Sequence, residues 1–245
     1  MKTYTRGPSG NRLIDLLPRS DRERLLAHGA SVEFGDEEML ARPEAKIRQV
    51  YFPIDSIISI TVSQDAHTGF EVRPIGSEGM LGIALVLGVD RAAMCARVRA
   101  PGRAWRFSSI EFLRICEGCG PLQAALNRYA VYVLGQIGRA ATCNRFHLLE
   151  GRLPRWLLTT QDRIGGPDVY VTHEELAHML GVRRVGITRA ATSLQNLGLI
   201  SYRRGHVTIV DRMGLVAESC ACYQADVADY ARIVRAASGD GEQRR

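Results

Sequence analysis

The chain has 245 residues, 46% of them apolar and 24% charged, an ordinary composition for a globular protein with material for one large or two modest cores. Its net charge of +6 favours an anionic partner without choosing between nucleic acid and a membrane surface. No apolar run approaches the roughly eighteen residues of a membrane span, and the opening MKTYTRGPSGNRL lacks a signal peptide's apolar stretch. The expected home is the cytoplasm, with no membrane partner and the six cysteines reduced.

Residues 1–10 are polar, carry Gly and Pro, and read as a loose leader. Leu13, Leu16 and Leu17, then Leu25 and Leu26, predict two short helices around Pro18. From 31 to about 107 the pattern changes to short β-prone runs broken by Gly, Pro and Asp. Within 56–63, Ile58, Ile60 and Val62 alternate with Ser59, Thr61 and Ser63, which predicts a strand with one apolar and one polar face. Many such strands imply a small barrel or sandwich.

Residues 109–116 predict a short helix, and Pro121 opens a much longer one reaching about 147. One stripe of it reads Leu122, Leu126, Tyr129, Val133, Gln136, Ala140 and Cys143, and a second Ala130, Leu134, Ile137 and Ala141. A helix apolar on two faces must be covered on two sides. The economical arrangement lays one face on the β domain and pairs the other with a second copy. Leu122, Leu126, Tyr129, Val133 and Ala140 are assigned to that homodimer interface, burial of the helix within one chain being the alternative.

A helix over 152–164 opens the C-terminal part, and Gly165-Gly166-Pro167-Asp168 leads into a short strand. Thr172 with Glu175 spells a capping box, Leu176, Ala177 and Leu180 form one apolar face, and Gly181 supplies the helix stop. A second helix begins near Arg183, with Ile187, Ala190, Ala191, Leu194 and Leu197 facing a core and Arg183, Arg184, Thr188 and Arg189 on the other side. After Gly198 two β-prone runs flank Arg203-Arg204-Gly205, a basic hairpin or wing. A braced helix projecting guanidinium forks is what major-groove reading needs, while wing arginines suit phosphates. Residues 212–237 are predicted helical and 238–245 a disordered tail.

This stretch resembles the DNA-binding domain of the Crp/Fnr family of bacterial transcription regulators. The family's I/V-T-x-x-E-L-A-x-x-L-G-V-x-R run is matched by Val171-Thr172, Glu175-Leu176-Ala177, Leu180-Gly181-Val182 and Arg184, with Arg189 further along. The resemblance extends over most of 12–212 and implies an α+β fold in four parts. These are a cyclic-nucleotide-binding-like β-roll sensor (12–120), a long dimerisation helix (121–147), a winged helix-turn-helix (148–212) and a C-terminal helical extension with its tail (213–245). It implies a sequence-specific transcription regulator with double-stranded DNA, a second copy and RNA polymerase as partners, an unnamed effector and no cofactor. The DNA-binding residues it implies are Thr172, Arg183, Arg184, Val185, Thr188, Arg189, Arg203 and Arg204, with Arg184 and Arg189 reading bases. Val185 stands where many members carry a base-reading Glu, so the operator need not be the family's usual one. The rival reading is a small-molecule-binding signalling module whose C-terminal domain contacts protein.

In that family a cyclic nucleotide is held by a G-E-L/I-G run and an Arg followed by Ser or Thr. Here the text is Gly76-Ser77-Glu78-Gly79-Met80-Leu81-Gly82, then Arg91-Ala92-Ala93. Carried over, the ligand-binding residues are Gly76, Glu78 and Arg91. Glu78 is displaced by one position and Ala92 lacks the hydroxyl, so neither cyclic AMP nor cyclic GMP is the expected effector. The glycines as β-turns and Arg91 as a surface charge are the alternative.

The family's iron–sulfur sensors use cysteines near the N-terminus, whereas the first here is Cys95. Cys116-Glu-Gly-Cys119 and Cys220-Ala-Cys222 lack a second pair at zinc-ribbon spacing. These cysteines and Cys143 read as small buried apolar filler, with no metal site expected and any redox role open. No enzyme is expected either. His173 and His178 are five residues apart, not the four that place both zinc-protease histidines on one helix face, and no Walker loop or nucleophile elbow occurs.

Overall fold

The computed structural model describes residues 7–65 and 68–235. From Gly7 on, the leader is pinned rather than loose. The Asn11 side chain donates to the Pro53 and Gly79 carbonyls at 2.8 and 2.9 Å, and Trp105 Nε1 donates to Ser9 O at 3.0 Å. A short 3-10 turn (Ile14–Leu16) and helix α1 (Arg19–Ala27) follow, separated by Pro18 as the sequence predicts.

Seven antiparallel strands come next: β1 (Ala30–Phe34), β2 (Met39–Ala41), β3 (Gln49–Pro53), β4 (Ile57–Asp65), β5 (Thr68–Ile75), β6 (Cys95–Ala100) and β7 (Gly102–Ser108). They form two sheets, ordered β1-β7-β3 and β2-β6-β4-β5. Phe34, Ile58, Ile60, Ile75, Ala96, Val98 and Ala104 form a core cluster drawn from both sheets. The predicted alternation on β4 holds only in part. Ile58 and Ile60 are buried, but Ser59 is buried as well, and Val62 is exposed after a register shift at Ile60/Thr61. The reason is that the sheet's other face is not left to water. Ser59 donates to Glu71 at 2.6 Å, and Glu71 accepts from Trp156 of the C-terminal domain at 3.3 Å.

Helix α2 (Ser109–Glu117) is capped by Ser108, and α3 (Gly120–Phe146) carries Pro in its first turn. Leu122, Leu126, Tyr129 and Val133 belong to the chain's own core, packed with Phe52, Phe107 and Phe112, so they are not free to meet a second copy; Ala140 is half-buried. That corrects the interface assignment. The outward row of α3 is Asn127, Val131, Leu134, Gly138 and Ala141, a 4-3-4-3 spacing in which Val131 and Leu134 are 56% and 69% exposed.

The C-terminal domain is built on α4 (Leu149–Ile164), β8 (Asp168–Tyr170), α5 (His173–Leu180), α6 (Arg184–Asn196), β9 (Ile200–Arg203) and β10 (His206–Ile209), with strand order β8-β10-β9. Beyond it, α7 (Arg212–Glu218), α8 (Cys222–Asp229) and a π-helical turn (Tyr230–Arg235) form the extension. Tyr223 is buried in the C-terminal core, whereas Tyr230 and Val234 are buried in the core around α3. The extension is therefore a strap between the two cores, and it covers part of the face of α3 that the sequence gives to a partner. The predicted tail lies outside the described residues. Among those residues, no helix is long and apolar enough to cross a membrane.

Candidate DNA-binding surface and sensor cavity

The capping box forms as read: Glu175 N donates to Thr172 Oγ1 at 3.2 Å and Thr172 N donates to Glu175 Oε2 at 2.5 Å. Gly181 closes α5 at φ +62, a left-handed conformation that suits glycine. Ile187, Ala190, Ala191 and Leu194 pack α6 into the core, while Leu197, expected with them, lies beyond the last helical turn and is exposed.

Thr172, Arg183, Arg184, Val185, Thr188, Arg189, Arg203 and Arg204 are all exposed, and they lie on the start of α5, the first turns of α6 and the wing. The wing's two-residue turn has φ +49 at Arg204 and +81 at Gly205, both left-handed, as a tight hairpin with the strands' own twist requires. Arg183, Arg189, Arg203 and Arg204 carry no acidic partner among the described residues. Arg184 Nε stands 3.8 Å from Glu174 across the helix turn.

Two bracing residues are not evident from the sequence pattern. His173 stacks on Tyr202, ring centroids 4.4 Å apart at 16°, and its Nδ1 lies 3.0 Å from Thr188 Oγ1. That joins α5, α6 and the wing in one contact. Burial and then the nearby Arg184 hold His173 below its usual value. Tyr202 N donates to Gln195 at 3.0 Å, a second tie between wing and helix.

The expected ligand residues do not converge. Glu78 is buried against Arg163 of α4 at 2.9 Å, and Gly76 packs on the Arg163 side chain, where a Cβ would come within 2.5 Å. Arg91 is exposed and donates to the Glu44 carbonyl at 2.6 Å. Gly76 and Glu78 therefore serve the joint between domains, and Arg91 a surface turn. The β domain instead holds a cavity of about 400 Å³, lined largely by apolar side chains including Met39, Tyr51, Ile60, Met80, Met94 and Ile137. Arg73 reaches its wall but is buried and donates to Tyr129 Oη at 2.7 Å. The structure also brings the Cys-x-Cys of 220–222 to Cys143 and His147, a grouping invisible in the spacing.

Residues 151–218 match the family model of the Crp-like helix-turn-helix domain. The chain has the fold of the Crp/Fnr regulators. It is similar to the c-di-GMP-responsive global regulator CLP of Xanthomonas campestris, with TM-score 0.62, 20% identity, and 78% of this chain and 99% of that one covered. FixK2 of Bradyrhizobium japonicum gives TM-score 0.63 at 11% identity, covering 79% and 98%. The Crp/Fnr regulator TTHA1359 of Thermus thermophilus gives 0.58 at 19% identity, covering 78% and 99%. No curated protein matches the sequence. This Crp/Fnr fold carries a largely apolar cavity in its β domain and a C-terminal strap between its two cores.

Proposed function

We propose that this protein is a sequence-specific, homodimeric DNA-binding transcription regulator whose β-roll senses a small apolar molecule. The observation that carries the reading is the clustering of unpaired Arg183, Arg189, Arg203 and Arg204 on the exposed side of a braced recognition helix and its wing, with their acidic counterparts absent among the described residues. Guanidinium groups in that arrangement can reach base edges from α6 and phosphates from the wing. A dimer belongs to this reading, because two such helices one DNA turn apart read a two-fold operator. The row Asn127, Val131, Leu134, Gly138 and Ala141 is the face of α3 suited to that pairing, since it repeats every 3.5 residues on average and is exposed.

The cavity argues for the effector class. A cyclic phosphate needs charged and amide donors aimed at it; here the one buried guanidinium of the lining, Arg73, is engaged by Tyr129, and the other cations that line it, Arg42, Lys46 and Arg48, are exposed. An apolar wall of this size suits an apolar or weakly polar ligand. The test is selection of duplexes from a random pool, followed by titration of the selected sequence at several salt concentrations. A two-fold motif bound with steeply salt-dependent affinity is expected; failure to enrich any sequence, or affinity indifferent to salt, contradicts the proposal.

A further inference from the structure

Cys143 lies in the last turn of α3, and His147, four residues on, caps that helix with its N–H donating to the Cys143 carbonyl at 3.0 Å. Cys220 lies in the turn between α7 and α8 and Cys222 opens α8, within the strap. The fold brings the four together: Cys143 Sγ is 3.6 Å from Cys220 Sγ, Cys222 Sγ is 3.5 Å from His147 Nδ1, and all four donor atoms lie within 4.8 Å of one another. We propose that these side chains form a structural zinc site that fastens the dimerisation helix to the DNA-binding domain and its C-terminal strap.

Chemistry and geometry agree on the ion. Zinc takes thiolate at about 2.3 Å and imidazole at about 2.0–2.1 Å in a tetrahedron, which places neighbouring donors about 3.5–3.8 Å apart. Two of the donor pairs already stand at that separation. An iron–sulfur cluster needs its ligands spread around a body several ångströms across, and this grouping is too tight for one. Cys143 and Cys222 are buried and the other two half-buried, a donor set that closes four positions, as in structural rather than catalytic zinc sites. Binding exchanges three thiol protons for one divalent cation, leaving the site with one net negative charge. Arg152 and Arg155 stand close enough to act electrostatically on Cys143 and Cys220 and balance that charge.

The same neighbours carry the site's effect outward. Arg152 donates to Asn144 on α3 at 2.7 Å and to the Leu180 carbonyl at the end of α5, and Arg155 donates to Asp226 on the strap at 2.9 Å. Cys220 N donates to the Gly151 carbonyl at 3.0 Å, and a Cβ at Gly151 would press on Cys220 at 3.3 Å, so α4 and the strap are held at backbone contact. A loaded site therefore fixes the angle at which the helix-turn-helix leaves α3.

The full chain, purified under reducing conditions, should contain about one zinc per chain by elemental analysis. Replacing zinc with cobalt should give thiolate charge-transfer absorption and the intense ligand-field bands of a tetrahedral site. Cys143→Ser, Cys222→Ser and His147→Gln should each weaken zinc in competition with a chelator by more than about tenfold, since loss of a ligand exceeds the loss of an outer-shell partner. Cys116→Ser should leave zinc binding as it was. Circular dichroism accompanies each variant, and the half-buried His147→Gln is the reading to use where a cysteine variant fails to fold. A chain that takes up no zinc or cobalt, a Cys143–Cys220 disulfide in the protein as isolated, iron with sulfide in its place, or a folded His147→Gln that holds zinc unchanged would overturn the proposal.

Discussion

Glu78 in the β domain and Arg163 on α4 form a buried ion pair at 2.9 Å, with side chains 4% and 6% exposed, and this pair is a polar joint between the β domain and the helix-turn-helix domain. Arg12 lies 3.9 Å from the same carboxylate, and the Glu78 carbonyl accepts from Tyr230 of the strap at 2.8 Å. Removing Arg163 leaves the buried Glu78 carboxylate without its closest cation, with only Arg12 at 3.9 Å and Arg73 still acting on it. Arg163→Ala should therefore cost about 3–5 kcal/mol in denaturant unfolding, whereas Glu78→Leu combined with Arg163→Leu should cost far less. Equal losses for the single and double changes would show that packing, not charge, holds the joint.

The same pair gives a pH dependence. Burial pushes the Glu78 carboxyl upward, but Arg163, Arg12 and Arg73 outweigh it and hold it below the ordinary carboxylate range. A group depressed in the folded state contributes stability above its unfolded value, about pH 4.3, and loses it as pH falls through the folded value. Stability measured against pH should fall below that point in the parent protein and fall less steeply in Glu78→Gln. Parallel curves would mean that the carboxylate is not the linked group.

The outward face of α3 should carry the dimer. Val131→Glu with Leu134→Glu sets like charges against each other in that seam, and sedimentation should report a folded monomer at micromolar concentration. Leu126→Glu should instead unfold the chain, because Leu126 is fully buried among the residues of its own core. A dimer that survives the double change puts the two-fold axis elsewhere.

Neither cyclic AMP nor cyclic GMP should give binding heat in calorimetry, because Glu78 and Arg91 are committed to Arg163 and Glu44. An environment-sensitive apolar dye should enter the cavity, and Ile137→Trp should block it. Micromolar binding of either nucleotide together with tighter DNA binding would reverse the assignment.

What the sequence made legible is local. The capping box of Thr172 and Glu175, the Gly181 stop and the Arg204-Gly205 turn are each decided within about four residues, and all stand as read. The long helix is equally plain, but not which of its stripes faces inward. That depends on Phe112 ahead of it and on Tyr230 and Val234, about a hundred residues after many of its contacts, which no periodicity announces. Glu78 meets Arg163 at a separation of 85 residues, and Cys143 meets Cys220 at 77, so a degenerate ligand cassette and cysteines read as apolar filler change meaning only once the chain is folded.

The most direct test of sequence reading is the comparison of Arg189→Ala on α6 with Arg204→Ala on the wing. Each is titrated against the selected operator and a scrambled duplex at several salt concentrations. Arg189→Ala should cost about 1–3 kcal/mol on the operator, little on the scrambled duplex, and relax one base position. Arg204→Ala should weaken both duplexes nearly equally and reduce the salt slope by about one. Equal losses on both duplexes for Arg189→Ala would place it on the backbone and contradict α6 as the helix that reads sequence.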